Sequence, residues 1–213
     1  VESCSYIGVT FSKSNVICII AKPKGDTMKN LRSILFAVLL AGLTLPATGM
    51  ADQTSDKLDD LFGRLKVSTN AFEAAAIEGL IWKVWIRRGV AEVDRNMTLG
   101  IIAMAEGDFK DSLSYFDRVV WRDPGFAEGW NKRATVHYLM GKFDSSVADI
   151  RKTLTLEPRH FGALSGMGLI YDALGNSAAA AKVWEKALEI NPHMAGIRHR
   201  IEEIRANFKG NPI

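Results

Sequence analysis

Only two cysteines occur in 213 residues, Cys4 and Cys18, and both precede Met28. Everything after Met28 therefore lacks disulfides, thiol chemistry and Cys-ligated metal. Long apolar runs are missing too. The stretch from Ile34 to Leu45 is twelve residues, short of the about 20 that a membrane-spanning helix needs. Histidine is sparse: His137, His160, His193 and His199 show no i, i+4 pairing and no carboxylate at metal-ligand spacing, so they read as core or surface residues. There is no G-x-S-x-G, no phosphate-cradling glycine loop and no dinucleotide fingerprint. "AEGDFKDS" has acidic spacing loosely like a calcium loop but lacks the closing Glu, and reads as a turn. No cofactor, no metal and no catalytic residue are expected, and no strand.

What is present begins with a targeting signal. From Met28 come a basic head (Lys29, Arg32), the apolar run, Pro46, and small residues leading to Ala51. That order is a secretory signal peptide over 28–51, cut after Ala51. The plainer alternative is an uncleaved N-terminal anchor, which would bring the protein to a membrane. No Cys lies near the cut, which argues against lipid attachment. Residues 1–27 are then expected to be over-extended translation or a disordered tail. Lys13, Lys22, Lys24, Lys29, Arg32, Glu2 and Asp26 precede the cut, which leaves 22 basic and 22 acidic residues from the original 27 and 24. A near-neutral mature chain has no net basic footprint, so no nucleic-acid partner is expected. Export with no mature Cys points to an oxidising compartment, a bacterial periplasm.

The folded part is periodic. Pro124, Pro158 and Pro192 recur with a period of 34, as do Gly107, Gly141 and Gly175, and as do Gly100, Ala134 and Gly168. Within one unit Leu99, Ile102 and Met104 fall on a first helix, and Phe109, Leu113, Phe116 and Val120 on a second. Gly107 turns the chain between them, where φ > 0 is needed. The small column sits where the two helices cross. Each Pro stops the second helix. The unit is thus helix, tight turn, helix, stop.

These columns resemble the tetratricopeptide repeat, a 34-residue helix–turn–helix with the pattern Trp-x2-Leu-Gly-x2-Tyr, Ala, Phe, Pro. The first unit supplies Leu99-Gly100, Gly107, Phe109, Phe116 and Asp123-Pro124. The second supplies Trp130, Ala134, Gly141, Phe143 and Pro158; the third Gly168, Tyr171, Gly175, Ala180, Ala187 and Asn191-Pro192. Asn96 and Leu164 stand where the pattern has Trp, Ile150 and Trp184 where it has Phe, and Arg133 where it has Leu. The resemblance covers about 100 residues and implies an all-α right-handed superhelix of antiparallel helix pairs. Units are expected at 93–126, 127–160 and 161–194, with N-terminal capping helices over 52–92 and a C-terminal capping helix and tail over 195–213. In the N-terminal stretch, Leu58, Leu61, Phe62 and Leu65 share one face, as do Ile77, Leu80, Ile81, Val84 and Trp85, with Ser55 and Asn70 as N-caps. The C-terminal stripe is Met194, Ile197, Ile201, Ile204 and Phe208, an end helix with a polar outer face.

The resemblance also implies a concave groove lined by first helices, which takes a partner peptide or helix. It places Met97, Ile101, Met104, Asn131, Thr135, Tyr138, Ser165, Leu169 and Asp172 there. Arg133 is read either as an internal ion pair with Asp149 or as a further groove residue. The Lys/Asn clamp that holds carboxylate tails in some family members is not reproduced: Asn131 and Lys132 are in place, but Gly162 and Ser165 stand where basic residues are expected. Trp130 is expected to pack between the helices of its repeat. The reading is a non-catalytic scaffold that binds another protein's apolar or helical segment. Alternatives are a groove filled by the protein's own N-terminal helices, self-association, a membrane-held assembly factor, or an enzyme using Arg133, His137 and Asp149. A cleaved signal predicts a mature chain that begins at Asp52. Intact mass after expression with export checks it, and retention of 28–51 refutes it.

Overall fold

The small residues that recur once per repeat allow two helices to touch backbone to ring. The computed structural model describes residues 56–210, with side chains over 57–207. The signal, the upstream stretch, Ser55 and the Phe208 side chain lie outside the described residues. Each unit becomes a helix pair: α3 (Ala91–Glu106) with α4 (Phe109–Arg122), α5 (Ala127–Leu139) with α6 (Phe143–Leu156), and α7 (Phe161–Ala173) with α8 (Ser177–Ile190). α1 (Asp56–Val67) and α2 (Ala71–Trp85) precede them and α9 (Ala195–Gly210) follows. No strand occurs among the described residues.

The helix ends are local chemistry. Gly107, Gly141 and Gly175 have φ of 81°, 71° and 76°, the left-handed region that closes a helix C-terminus. The next residue then bonds back five positions, as in Asp108 N–H to Ala103 C=O at 2.9 Å and Lys142 N–H to His137 C=O at 2.8 Å. Asp108 and Asn176 cap the following helices by accepting from the N–H of Asp111 and Ala179. Each second helix stops at a pre-proline residue, Asp123, Glu157 or Asn191, with ψ of 84°, 93° and 94°. That is the extended backbone which the proline ring imposes on its predecessor.

Packing within pairs follows a size rule. A Cβ on Gly100 would lie 2.7 Å from the Phe116 ring, and one on Gly168 would lie 2.1 Å from Trp184 Nε1. The middle unit has Ala134, and the facing residue shrinks to Ile150. The facing column Phe116, Ile150, Trp184 keeps the same period. Ser112 and Ser146 add a hydroxyl donation to Gly100 C=O and Ala134 C=O, both at 2.8 Å. In the third pair the Trp184 indole N–H donates to Ser165 C=O at 3.0 Å instead. First helices also touch in succession, α3 on α5 and α5 on α7, and so line the inner side. α9 closes the stack by laying Ile197, Ile201 and Ile204 on Ala180 and Trp184.

Two expectations change. Trp130 is half-buried rather than locked inside its pair: its indole N–H donates to Pro124 C=O at 2.9 Å and Arg133 stacks 4.7 Å from its ring. The fully buried tryptophans are Trp85 and Trp184. The N-terminal helices, expected as a cap ahead of the first repeat, form a hairpin whose core of Leu58, Leu61, Phe62, Leu65, Ile77, Ile81 and Trp85 gathers in Phe161, Ile190 and Met194 of the third. Asn70 caps α2 as expected, accepting from Phe72 and Glu73 N–H.

Gly168→Ala should destabilise by about 1–3 kcal/mol through overpacking. Adding Trp184→Ile recreates the Ala134/Ile150 pair, so the double variant should be more stable than the two single losses predict. Thermal or urea unfolding of the four species gives the coupling; strict additivity would refute the size rule.

Candidate partner-binding site

The inner side is built first by what already covers it. At each corner between repeats, the pre-proline residue or its neighbour is tied to the N-terminal segment. Arg88 Nε donates to Asp123 at 2.6 Å. Glu157 holds Arg159, whose guanidinium also reaches Asp59 on α1 and lies 4.5 Å over the Phe62 ring. Asn191 donates to Glu78 on α2 at 3.0 Å, and the imidazole of His193 meets Leu65 C=O at 3.0 Å. Three corners, each one repeat from the next, thus hold the N-terminal segment, the first through Arg88 after α2 and the other two through the α1–α2 hairpin.

At the middle corner Trp85 lies flat on His160, centroids 4.1 Å apart and planes 9° from parallel. His160 caps α7: its Nδ1 accepts from Ala163 N–H at 3.0 Å. The proton therefore sits on Nε2, which donates to Glu128 Oε2 at 2.8 Å. Glu128 is buried on α5, and Lys132 pairs with its other oxygen at 3.1 Å while standing 5.5 Å over the Trp82 ring. Burial raises the Glu128 carboxyl, but the Lys132 charge and the His160 hydrogen bond outweigh it and bring it to about 2. Trp82 occupies the space beside Gly162, where a Cβ would come within 2.6 Å of its ring. Sequence reading did not single out this cluster. The available signal was the column Phe126, His160, Met194, in which one member is polar, and the absence of a side chain at Gly162.

The expected groove residues divide accordingly. Met97 and Asn131 are buried; Asn131 donates to Glu128. Ile101 and Met104 pack half-buried against the first repeat's core. Asp172 is held by the Arg200 fork of α9, with contacts of 3.0–3.2 Å. Arg133 turns from the inner side: Asp149 takes two of its donors at 2.7 Å and Asp117 a third at 2.9 Å. Its hydrogen bonds to Asp149 raise the guanidinium above its ordinary value. His137 lies 3.8 Å from Asp149, and burial, aided by the Arg133 charge, holds its imidazole below the ordinary value against the pull of Asp149. Both Asp149 oxygens are thus taken by Arg133. What stays together and open is Thr135, Tyr138, Ser165 and Leu169, around a depression of about 170 Å³ between α5 and α7.

Residues 161–194 match the tetratricopeptide repeat family model. A TPR repeat-containing protein of Rhizobium etli is 34% identical over 155 residues, 73% of this chain and 76% of that protein. The chain belongs to the tetratricopeptide repeat family. The DnaJ homolog subfamily C member 3 of Rattus norvegicus is 30% identical over 102 residues, and the match spans only 20% of that longer relative and 48% of this chain. Among solved structures, the first TPR of Spaghetti (RPAP3) bound to the HSP90 peptide SRMEEVD has a TM-score of 0.53 at 19% identity, covering 55% of this chain and 94% of that one. The TPR2B-domain:pHsp70-complex of yeast Sti1 has a TM-score of 0.51 at 17% identity, covering 55% and 99%. These likenesses establish the tetratricopeptide superhelix. Repeats of this family mediate protein–protein interactions.

Because the folded-state Glu128 value lies below its ordinary 4.5, its contribution is present above that pH and is lost as pH falls towards about 2. Glu128→Gln should cost about 2–4 kcal/mol at pH 7, with the gap to the parent closing across that window. Urea unfolding at several pH values checks it; a pH-independent gap refutes it.

Proposed function

We propose that this chain is a non-catalytic adaptor that holds an apolar or helical segment of a partner protein against the inner side of its repeats. One observation carries the reading. Thr135, Tyr138, Ser165 and Leu169 from two successive first helices line an open depression, and Leu169 in it is 42% exposed. An apolar and aromatic depression between first helices suits groove recognition of such a segment. Tyr138, half-buried beside Phe143, is a suitable aromatic anchor. The hairpin covers the first turns of α5 and α7, so the partner is received on their later turns. Lys132 and Asn131 already bind Glu128, which speaks against capture of a C-terminal carboxylate. The 28–51 segment supports action after export, in a bacterial periplasm.

A Tyr138→Glu, Leu169→Glu variant that circular dichroism shows to be folded should lose, by about tenfold or more, a partner that the parent retains in affinity capture from a periplasmic extract. The same partners on both proteins, or none on either, would refute the inner-side reading.

A further inference from the structure

α2 is largely apolar, with only three charges in its 15 residues, Glu73, Glu78 and Lys83. One side, Ala74, Ile77, Ile81 and Trp85, is buried. A helix this rich in apolar residues is suited to packing on more than one side, and among the described residues only one side is covered. Away from that side Phe72, Ala76 and Leu80 follow at helical spacing, which sets them in one stripe, while Val84 is half-buried at the edge of the hairpin core and Arg87 follows the helix end. Phe72 is 86% exposed and Leu80 46%, and across the turn Val67 of α1 is 75% exposed. Between the helices runs a groove of about 630 Å³, with Leu61, Leu80 and Val84 in it and Lys57, Lys83, Arg87 and Asp60 around it.

Charge selects the occupant. Asp60 faces Arg64 at 3.6 Å. Lys57, Lys83 and Arg87 have no ion pair among the described residues, whereas Arg133, Arg159 and Arg200 all meet carboxylates. An apolar trough between unpaired cations is complementary to a ridge of apolar side chains flanked by acids. We propose that the outward face of the α1–α2 hairpin docks an acidic amphipathic helix of a partner protein, at a site separate from the inner side. A second copy of this face would set Lys83 and Arg87 against Lys57, a like-charge arrangement. A bilayer would engage the protruding Phe72 and Val67, whereas the basic side chains surround the concave trough away from them.

The test uses the full chain and a fluorescein-labelled synthetic 18-residue helix with a leucine stripe flanked by glutamates, beside the same peptide with lysines for glutamates. Fluorescence anisotropy should show binding of the acidic peptide that weakens with salt and no binding of the basic one. Leu80→Glu, an exposed site, should weaken binding about tenfold or more, and Lys83→Glu with Arg87→Glu should reverse the peptide preference. Circular dichroism confirms that the variants are folded, and Leu169→Glu on the inner side should bind as the parent does. The proposal is overturned if the acidic peptide does not bind, or binds Leu80→Glu as tightly. Leu80-dependent retention on phosphatidylglycerol vesicles without peptide binding overturns it in favour of a lipid surface. A dimer in light scattering that Leu80→Glu dissolves overturns it in favour of self-pairing.

Discussion

Trp85 lies on the face of His160, and that contact is possible because the imidazole is fixed from both ends. Ala163 N–H holds one nitrogen and Glu128 the other. A ring so pinned cannot rotate, and its flat face becomes a platform for an indole. Glu128 is kept ionised in a buried place by Lys132 on the next turn of α5, and Lys132 in turn faces Trp82. The chain of contacts therefore runs through two neighbouring repeats to both tryptophans of α2. Breaking one partner of such a buried pair leaves an uncompensated charge, so the four groups stand or fall together. The Trp85 indole N–H, buried without an acceptor, is a cost that lying flat on the imidazole imposes.

The repeats themselves rest on a different constraint, the close approach of paired helices at Gly100, Ala134 and Gly168. Size is traded across each pair, so that the largest facing residue, Trp184, meets a glycine and the aliphatic Ile150 meets an alanine. This keeps interhelical spacing similar while the side chains change. Regular spacing in turn keeps successive corners in register, which lets the N-terminal segment from α1 to Arg88 meet Asp123, Glu157 with Arg159, and Asn191. A stack with irregular spacing could not offer these three ties to one continuous N-terminal segment.

For function, the hairpin matters as much as the repeats. It takes the early turns of α5 and α7 and leaves Tyr138, Ser165 and Leu169 open. It brings Trp82 under Lys132, which pairs with Glu128 as Asn131 does. It also adds a surface of its own, basic and apolar, that the repeat pattern does not foresee. The two proposed faces together would let one chain join two partners.

The period, the helix pairs and their ends could be read directly, because each depends on neighbours in the chain. Glycine at positive φ, proline at a stop and Asn or Asp at an N-cap act through a few backbone atoms. The pairing of Arg133 with Asp149 was within reach too, since 16 residues separate them inside one repeat. The same reasoning misplaced Trp130, whose column predicts burial but whose indole reaches back to Pro124, and it put Met97 and Asn131 in the groove although neighbouring helices bury them. It treated His160 as one unremarked core or surface histidine. What decided these points were contacts between residues 32, 100 and 113 apart, Glu128 with His160, Asp59 with Arg159 and Glu78 with Asn191. Local sequence determined that there would be repeats with an inner side. Only the docking of the hairpin, a matter of shape and charge between distant segments, decided how much of that side remains free.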